Sequence, residues 1–293
     1  MSKSLLPLFG VLVTIAVPLA SFVTGLRATE PLWLWKRPRL LGRSLFVILI
    51  VIPVITVLLL EVLAPGSVLV SAGITVSILA IGIGPPNLFK RTEAASDSTR
   101  YEVGLNVVLL PLAIVYLPLA LALHGAVFHH DVRLPPSEVA RVVLFQALLP
   151  FGAGMALARV FPQNLNATLE FYAGLFVKLA ISVVVIVALA VAWRPLIGLG
   201  PHAWLTCAAV AMIAILIGHA LGGPTSETRG VLAAFSAMRF PGLALLIVSA
   251  VPGGQVLIPV VLAYVITSAA LVGAYRAAGI RPGRPEEAPA EPE

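Results

Sequence analysis

Apolar residues run along this chain in long blocks, and polar residues gather in the short stretches between them. A helix needs about 20 mostly apolar residues to cross about 30 Å of hydrocarbon. Nine blocks approach that length: Leu5–Leu26, Ser44–Ala64, Ser67–Gly84, Val103–Leu123, Val142–Ala158, Phe171–Trp193, Ala203–Leu221, Val231–Val251 and Val256–Tyr275. The pattern predicts an all-α polytopic membrane protein of nine transmembrane helices, with residues 1–276 as a single transmembrane domain. The Pro/Glu-rich tail, residues 277–293, has no large apolar residue after Ile280 and is expected to be a disordered cytoplasmic segment. The first block has only Lys3 before it and exceeds the 7–15 apolar residues typical of a signal peptide, so a retained helix is expected.

Composition sharpens this picture. Of the 293 residues 59% are hydrophobic and 11% charged, against about 25% charged in an average soluble domain. Mean hydropathy is +1.04. These values exclude a soluble enzyme, a disordered chain and a nucleic-acid-binding domain. The lone cysteine, Cys207, lies within an apolar block and cannot form an intrachain disulfide.

Net charge is +6, and its placement matters more than its size. Arg27, Lys36, Arg37, Arg39 and Arg43 crowd the first loop, which assigns that loop to the cytoplasm and the N-terminus to the outside. With nine alternating spans the C-terminus is cytoplasmic, and 13 Lys/Arg fall inside against 4 outside. A multi-pass protein of the inner (plasma) membrane is expected. Lys178 and Arg239 are the two cations left within spans.

Two segments echo each other at an offset of 148 residues. Leu109–Tyr116 reads LLPLAIVY and Leu257–Tyr264 reads LIPVVLAY, matching Pro111 with Pro259 and Tyr116 with Tyr264. Each follows a proline-interrupted block, Gly82–Asn87 in the first case and Met238–Gly242 in the second. An offset of five spans inverts the second unit, giving the inverted repeat common in secondary transporters. Proline removes a backbone donor, and the freed carbonyls survive in lipid only when buried in protein or lining a cavity. Pro85-Pro86 and Pro241 are therefore expected to mark two discontinuous crossing helices. Pro53, Pro111, Pro118, Pro150 and Pro259 are expected only to kink theirs.

The order of these landmarks resembles the bile acid:sodium symporter family, within the bile/arsenite/riboflavin transporter group. Lys36-Arg37-Pro38-Arg39 opens a span containing Pro53, as a basic Arg/Lys-Pro stretch does in the family. Gly82–Asn87 stands where the family has a Pro-Gly-Gly break, and Pro118 matches the end of the following span. Met238–Ala244 (MRFPGLA) is similar to the family's Met-Gln-Asn-Ser-Gly-Leu-Ala signature. The resemblance covers nearly the whole chain. It implies core and panel domains, two crossing helices near Ser67–Ser96 and Arg229–Val251, and alternating-access transport of a small or medium organic anion, often with sodium. It also implies that Phe235, Arg239 and Phe240 replace the family's sodium-binding Glu, Gln and Asn, and that Lys90-Arg91 falls near its Ser-Asn pair. Phenylalanine offers no oxygen and a guanidinium repels a cation, which argues against the usual two-sodium mechanism, while backbone carbonyls could still serve as ligands. Sodium coupling is therefore left open beside a facilitator, a proton-linked carrier and an exchanger.

Arg239 lies near mid-depth, where an arginine costs about 2.5–3.5 kcal/mol on insertion scales and usually faces a cavity or a partner. It is expected either to stand in for a sodium ion and attract an anion, or to pair with Glu227 or Glu93. Pro241, Asn87, Lys90 and Arg91 join it as candidate substrate-binding residues around the two breaks. Asn106 and His219 are further candidates, and with Gln146 also suit helix–helix hydrogen bonds. Lys178 suits snorkelling or pairing with Glu170. Thr225 or Ser226 suits a helix cap. His124, His129, His130 and Asp131 read as solvated loop residues, since structural zinc wants four closed ligands. No catalytic motif is present, so neither an enzyme, a cofactor nor a metal site is expected. The lipid bilayer is the expected environment, and the residues leave the oligomeric state open. A receptor or sensor on a degenerate transporter fold is the competing reading.

Overall fold

The structure, a computed structural model, describes residues 5–28, 30–81, 97–128, 136–250 and 253–278. Among the described residues every regular element is helical. In chain order they are α1 (Leu5–Leu26), α2 (Pro38–Phe46), α3 (Ile52–Leu63), α4 (Val68–Leu79), α5 (Asp97–Phe128), α6 (Pro136–Val142), α7 (Leu149–Val160), α8 (Gln163–Gly198), α9 (Gly200–Leu221), α10 (Ser226–Ala237), α11 (Pro241–Ala250) and α12 (Ile258–Ala277). Among the described residues, seven helical stretches are long and apolar enough to cross a membrane, among them Pro38–Leu63, which joins α2 to α3, and Ser226–Ser249, which joins α10 to α11. The chain is thus an all-α protein with the helices of a multi-pass membrane protein.

The expected span Leu5–Leu26 coincides with α1, a helix of 22 residues. Ser67–Gly84 is represented among the described residues by α4, which stops at Leu79. Ala80 leaves the helix with ψ 67°, and its carbonyl accepts a hydrogen bond from another chain segment described below. The Gly82–Asn87 break, the loop residues His129, His130 and Asp131, and the tail from residue 279 lie outside the described residues.

Helical joints sit where proline dictates. Between α2 and α3 the turn Val47–Val51 is a π-helix, and between α6 and α7 the turn Val143–Leu148 is another. Each ends two residues before a proline, Pro53 and Pro150. A proline ring collides with the carbonyl four residues back, and a wider turn relieves the collision. In the first joint the Ile52 N–H accordingly reaches the Val47 carbonyl, five residues back.

Packing separates centre from periphery. The broken span Ser226–Ser249 is 83% buried, whereas Leu165–Ala190 in α8 is 22% buried and presents Phe176, Leu179 and Ile186 outward. The centre is formed by α4, α9, α10, α11 and α12, and Cys207 of α9 is fully buried there. α1 packs chiefly on α7 and α8. Small residues set these approaches, as expected where van der Waals fit rather than water exclusion holds helices together. A Cβ added to Gly73 of α4 would come within 2.6 Å of Val260 on α12. Gly25 of α1 and Gly154 of α7 lie back to back. A Cβ on Gly25 would overlap the Phe151 carbonyl, and one on Gly154 would overlap the Phe22 carbonyl.

This contact makes a directed prediction. Gly154→Ala should push α1 from α7 and cost about 1–3 kcal/mol, read as a lower thermal unfolding midpoint of the purified protein. Gly152→Ala, on the same helix with open space around it, should leave the midpoint unchanged.

Candidate functional site

The break between α10 and α11 follows from its sequence. Pro241 cannot donate to the Ala237 carbonyl, so α10 ends at Ala237 and α11 restarts with Pro241 at its head. Met238, Arg239 and Phe240 form the link. α4 ends against this link, where the Phe240 N–H donates to the Ala80 carbonyl at 3.0 Å. The end of α4 and the break between α10 and α11 therefore meet, joined by a main-chain hydrogen bond. α10 starts with Thr225 as its cap, whose hydroxyl accepts from the Thr228 N–H at 3.2 Å.

Arg239 is buried at this meeting point, only 6% exposed. Its Nη2 donates to the Ile48 carbonyl at 3.1 Å, and its Nε has no hydrogen-bond partner among the described residues. No described carboxylate pairs with it, so Glu227 is not its partner, and Glu93 lies outside the described residues. Ile48 sits in the π-turn ahead of Pro53. The wider register of that turn leaves one carbonyl more than the one that Pro53 deprives of its donor. The guanidinium takes this extra carbonyl from outside the helix that carries it.

Two tyrosines perform the same service. The Tyr116 hydroxyl, on α5, donates to the Leu49 carbonyl at 2.8 Å. The Tyr264 hydroxyl, on α12, donates to the Ala237 carbonyl at 2.8 Å. Leu49 is four residues before Pro53, and Ala237 is four before Pro241. The tyrosines matched by sequence therefore each satisfy a carbonyl orphaned by a proline. Their companion prolines differ in placement: Pro111 lies inside α5, whereas Pro259 lies in the first turn of α12. A weaker third instance involves Gln146, four residues before Pro150, whose carbonyl lies 3.4 Å from the Ser21 hydroxyl. That hydroxyl makes its shorter bond, 2.8 Å, to Val17.

The remaining candidates separate. Asn106 is fully buried on α5, about 15 Å along the helix from Tyr116 at 1.5 Å per residue. His219, in the last turn of α9, is held by Tyr275 of α12, with Nδ1 and the phenol oxygen 2.6 Å apart. Asn87, Lys90 and Arg91 lie outside the described residues. Phe235 and Phe240 are buried beside Arg239 in sequence and bring no side-chain oxygen to the break. Lys178 is exposed on α8 and does not pair with Glu170, whose carboxylate takes Arg27 at 2.9 Å. Ser236, fully buried with no hydrogen-bond partner for its hydroxyl among the described residues, is a candidate that sequence reading missed. Its position three residues before Arg239 was the available signal.

A cavity of about 400 Å³ opens between α3, α4 and α5. Leu49 and Tyr116 line it together with Thr56 and Thr75, and the rest of its wall is apolar. Arg239 lies off this cavity, bonded to the carbonyl next to Leu49. In comparisons with known families and with curated proteins, no family model and no curated protein matches the chain.

The proline–tyrosine pairing can be tested by a double-mutant cycle. Tyr116→Phe should cost about 1 kcal/mol of stability, the usual scale for a side-chain hydrogen bond inside a membrane protein. Pro53→Ala restores a backbone donor for that carbonyl, so Tyr116→Phe should cost little in its presence. Additive effects on the unfolding midpoint would exclude the pairing.

Proposed function

We propose that this protein is a secondary transporter, similar to the bile acid:sodium symporters, that moves a small or medium organic anion by alternating access. The observation that carries this reading is the junction of the α4 end with the break between α10 and α11 around a buried arginine, in which the Phe240 N–H meets Ala80 and Arg239 meets Ile48. Interrupted helices near mid-depth are the usual setting of transporter sites, because half-helix ends can offer their dipoles to a solute. The head of α11 supplies an N-terminal end, favourable to negative charge. The paired roles of Tyr116 and Tyr264 support descent of the two halves from one inverted unit.

In this reading Arg239 replaces the coupling ion. A guanidinium donating to a main-chain carbonyl does what a bound cation does when it takes that oxygen as a ligand. The phenylalanines at 235 and 240 fit a site that no longer needs carboxylate or amide ligands. Anion transport without sodium follows, in the inner membrane, with the N-terminus outside and the C-terminus cytoplasmic. α1, α7 and α8 make up the panel, and the central helices make up the core that moves against it.

A specific observation also favours a receptor on the same fold. Arg239 is buried and already engaged with Ile48, as a purely structural residue would be. Uptake of labelled carboxylates and sulfonates into proteoliposomes separates the two readings. Transport predicts uptake independent of a sodium gradient and at least tenfold lower in Arg239→Ala, with Arg239→Lys retaining part of it. Uptake unchanged in a normally folded Arg239→Ala variant would overturn the role of Arg239. Saturable binding without uptake would establish the receptor.

A further inference from the structure

The end of the molecule where α2 and α10 begin holds a second feature, separate from the crossover. A cavity of about 700 Å³ lies between the head of α2 and the turn joining α9 to α10. Arg37, Arg39 and Arg43 line one side, and Thr225 and Thr228 the other, with Leu40 between them. Among the described residues, none that lines it is acidic. Two other cations near helix ends are paired, Arg27 with Glu170 at 2.9 Å and Arg100 with Glu30 at 3.1 Å. Arg39 and Arg43 are exposed and pair with no described carboxylate. Arg43 reaches only the Ala220 carbonyl, at 3.5 Å.

The backbone reinforces the charge. Pro38 starts α2 and Ser226 starts α10, so two helix N-termini, each the positive end of its dipole, open onto one cavity. Gly223 brings the turn close to α2. It has φ +107°, and a Cβ there would come within 3.0 Å of Leu40 and 2.9 Å of the Thr228 hydroxyl. The Arg229 Nε holds the turn by donating to the Gly223 carbonyl at 2.9 Å. Arg37 is braced over the Trp33 ring at 3.9 Å.

We propose that this cavity is a binding site for a phosphate-bearing anion, and that its natural occupant is the headgroup of an anionic phospholipid. Guanidinium forks match phosphate oxygens bidentately, and basic pockets at the ends of membrane helices take such headgroups. The surroundings favour a lipid over free phosphate. Leu32 and Trp35 are exposed on the same loop as Arg37, 60% and 57% respectively, where a membrane-interface anchor would sit. Leu40 offers an apolar surface for the start of the acyl chains. Occupancy would tie α2 to the α9–α10 turn.

The test uses the full chain purified in a neutral detergent, with thermal unfolding followed in phosphatidylglycerol, in phosphatidylcholine and in inorganic phosphate. Phosphatidylglycerol should raise the midpoint by several degrees and phosphatidylcholine should not. The rise should shrink with added salt, and fall by at least half in the Arg39→Gln/Arg43→Gln double variant. Arg39→Lys/Arg43→Lys keeps the charge without the fork and should lie between the two. Arg141→Gln, which removes an exposed cation from α6, should keep the full rise. A rise with inorganic phosphate equal to that with the lipid, lost in the same double variant, would support the phosphate site and overturn the lipid assignment. Equal rises with both lipids, or an undiminished rise in the Gln variant, would overturn the site itself.

Discussion

Inside a bilayer no water is available to a carbonyl that has lost its partner, so every proline placed in a spanning helix creates a debt that another part of the protein must settle. The joints of this structure are arranged around that constraint. Pro53 and the π-turn ahead of it leave the carbonyls of Leu49 and Ile48, which are taken by Tyr116 and Arg239. Pro241 orphans Ala237, which Tyr264 takes. Each remedy comes from a different helix. The prolines therefore do more than bend their own helices, because they fix which neighbour must lie alongside and at what height. The three bonds, with the Phe240–Ala80 link, stitch the central helices together through main-chain oxygens rather than side-chain pairs.

Arg239 belongs to this system and also exceeds it. A hydroxyl would have sufficed for one carbonyl, as it does at Leu49 and Ala237. A guanidinium has five donors, and here one nitrogen is engaged with Ile48 while Nε is not engaged among the described residues. The charge sits where the end of α4 meets the break between α10 and α11, three residues after Ser236, whose buried hydroxyl is not engaged among the described residues either. One carbonyl does not account for a charge with spare donors at that place.

Much of this was legible in the sequence, for reasons that differ from element to element. The long apolar blocks identify helices because their length is set by the bilayer, and eight of nine reappear among the described residues as helices of comparable length, Leu5–Leu26 with the same bounds. The second break was readable because Gly242 and Arg239 accompany Pro241, whereas Pro111 and Pro118 stay inside the continuous α5, and Thr225 was readable as a cap because its position precedes a helical run. The tyrosines surfaced as a repeated pattern without a role. Counting four residues back from Pro53 and Pro241 names the carbonyls, but which side chain reaches them depends on helix packing that no local pattern encodes. The same limit applies to Arg239, whose partner lies 191 positions away and is a backbone atom with no identity in the sequence. Lys178 and Glu170 show the reverse error. Sequence proximity suggested a pair, while the fold gave Glu170 to Arg27 from another helix.

A resident cation has an energetic consequence. A sodium ion that enters with its solute and leaves with it carries the free energy of its own gradient. A guanidinium fixed to the chain returns with every cycle and carries none. If Arg239 is the cation of this site, each monovalent anion crosses as a net negative charge, and the membrane potential acts on it with about 2.3 kcal/mol per 100 mV. A potential negative inside then opposes accumulation and favours export. By exchanging a mobile ion for a covalent one, the fold would turn from a concentrating pump into a conduit whose direction is set by the anion's own electrochemical gradient.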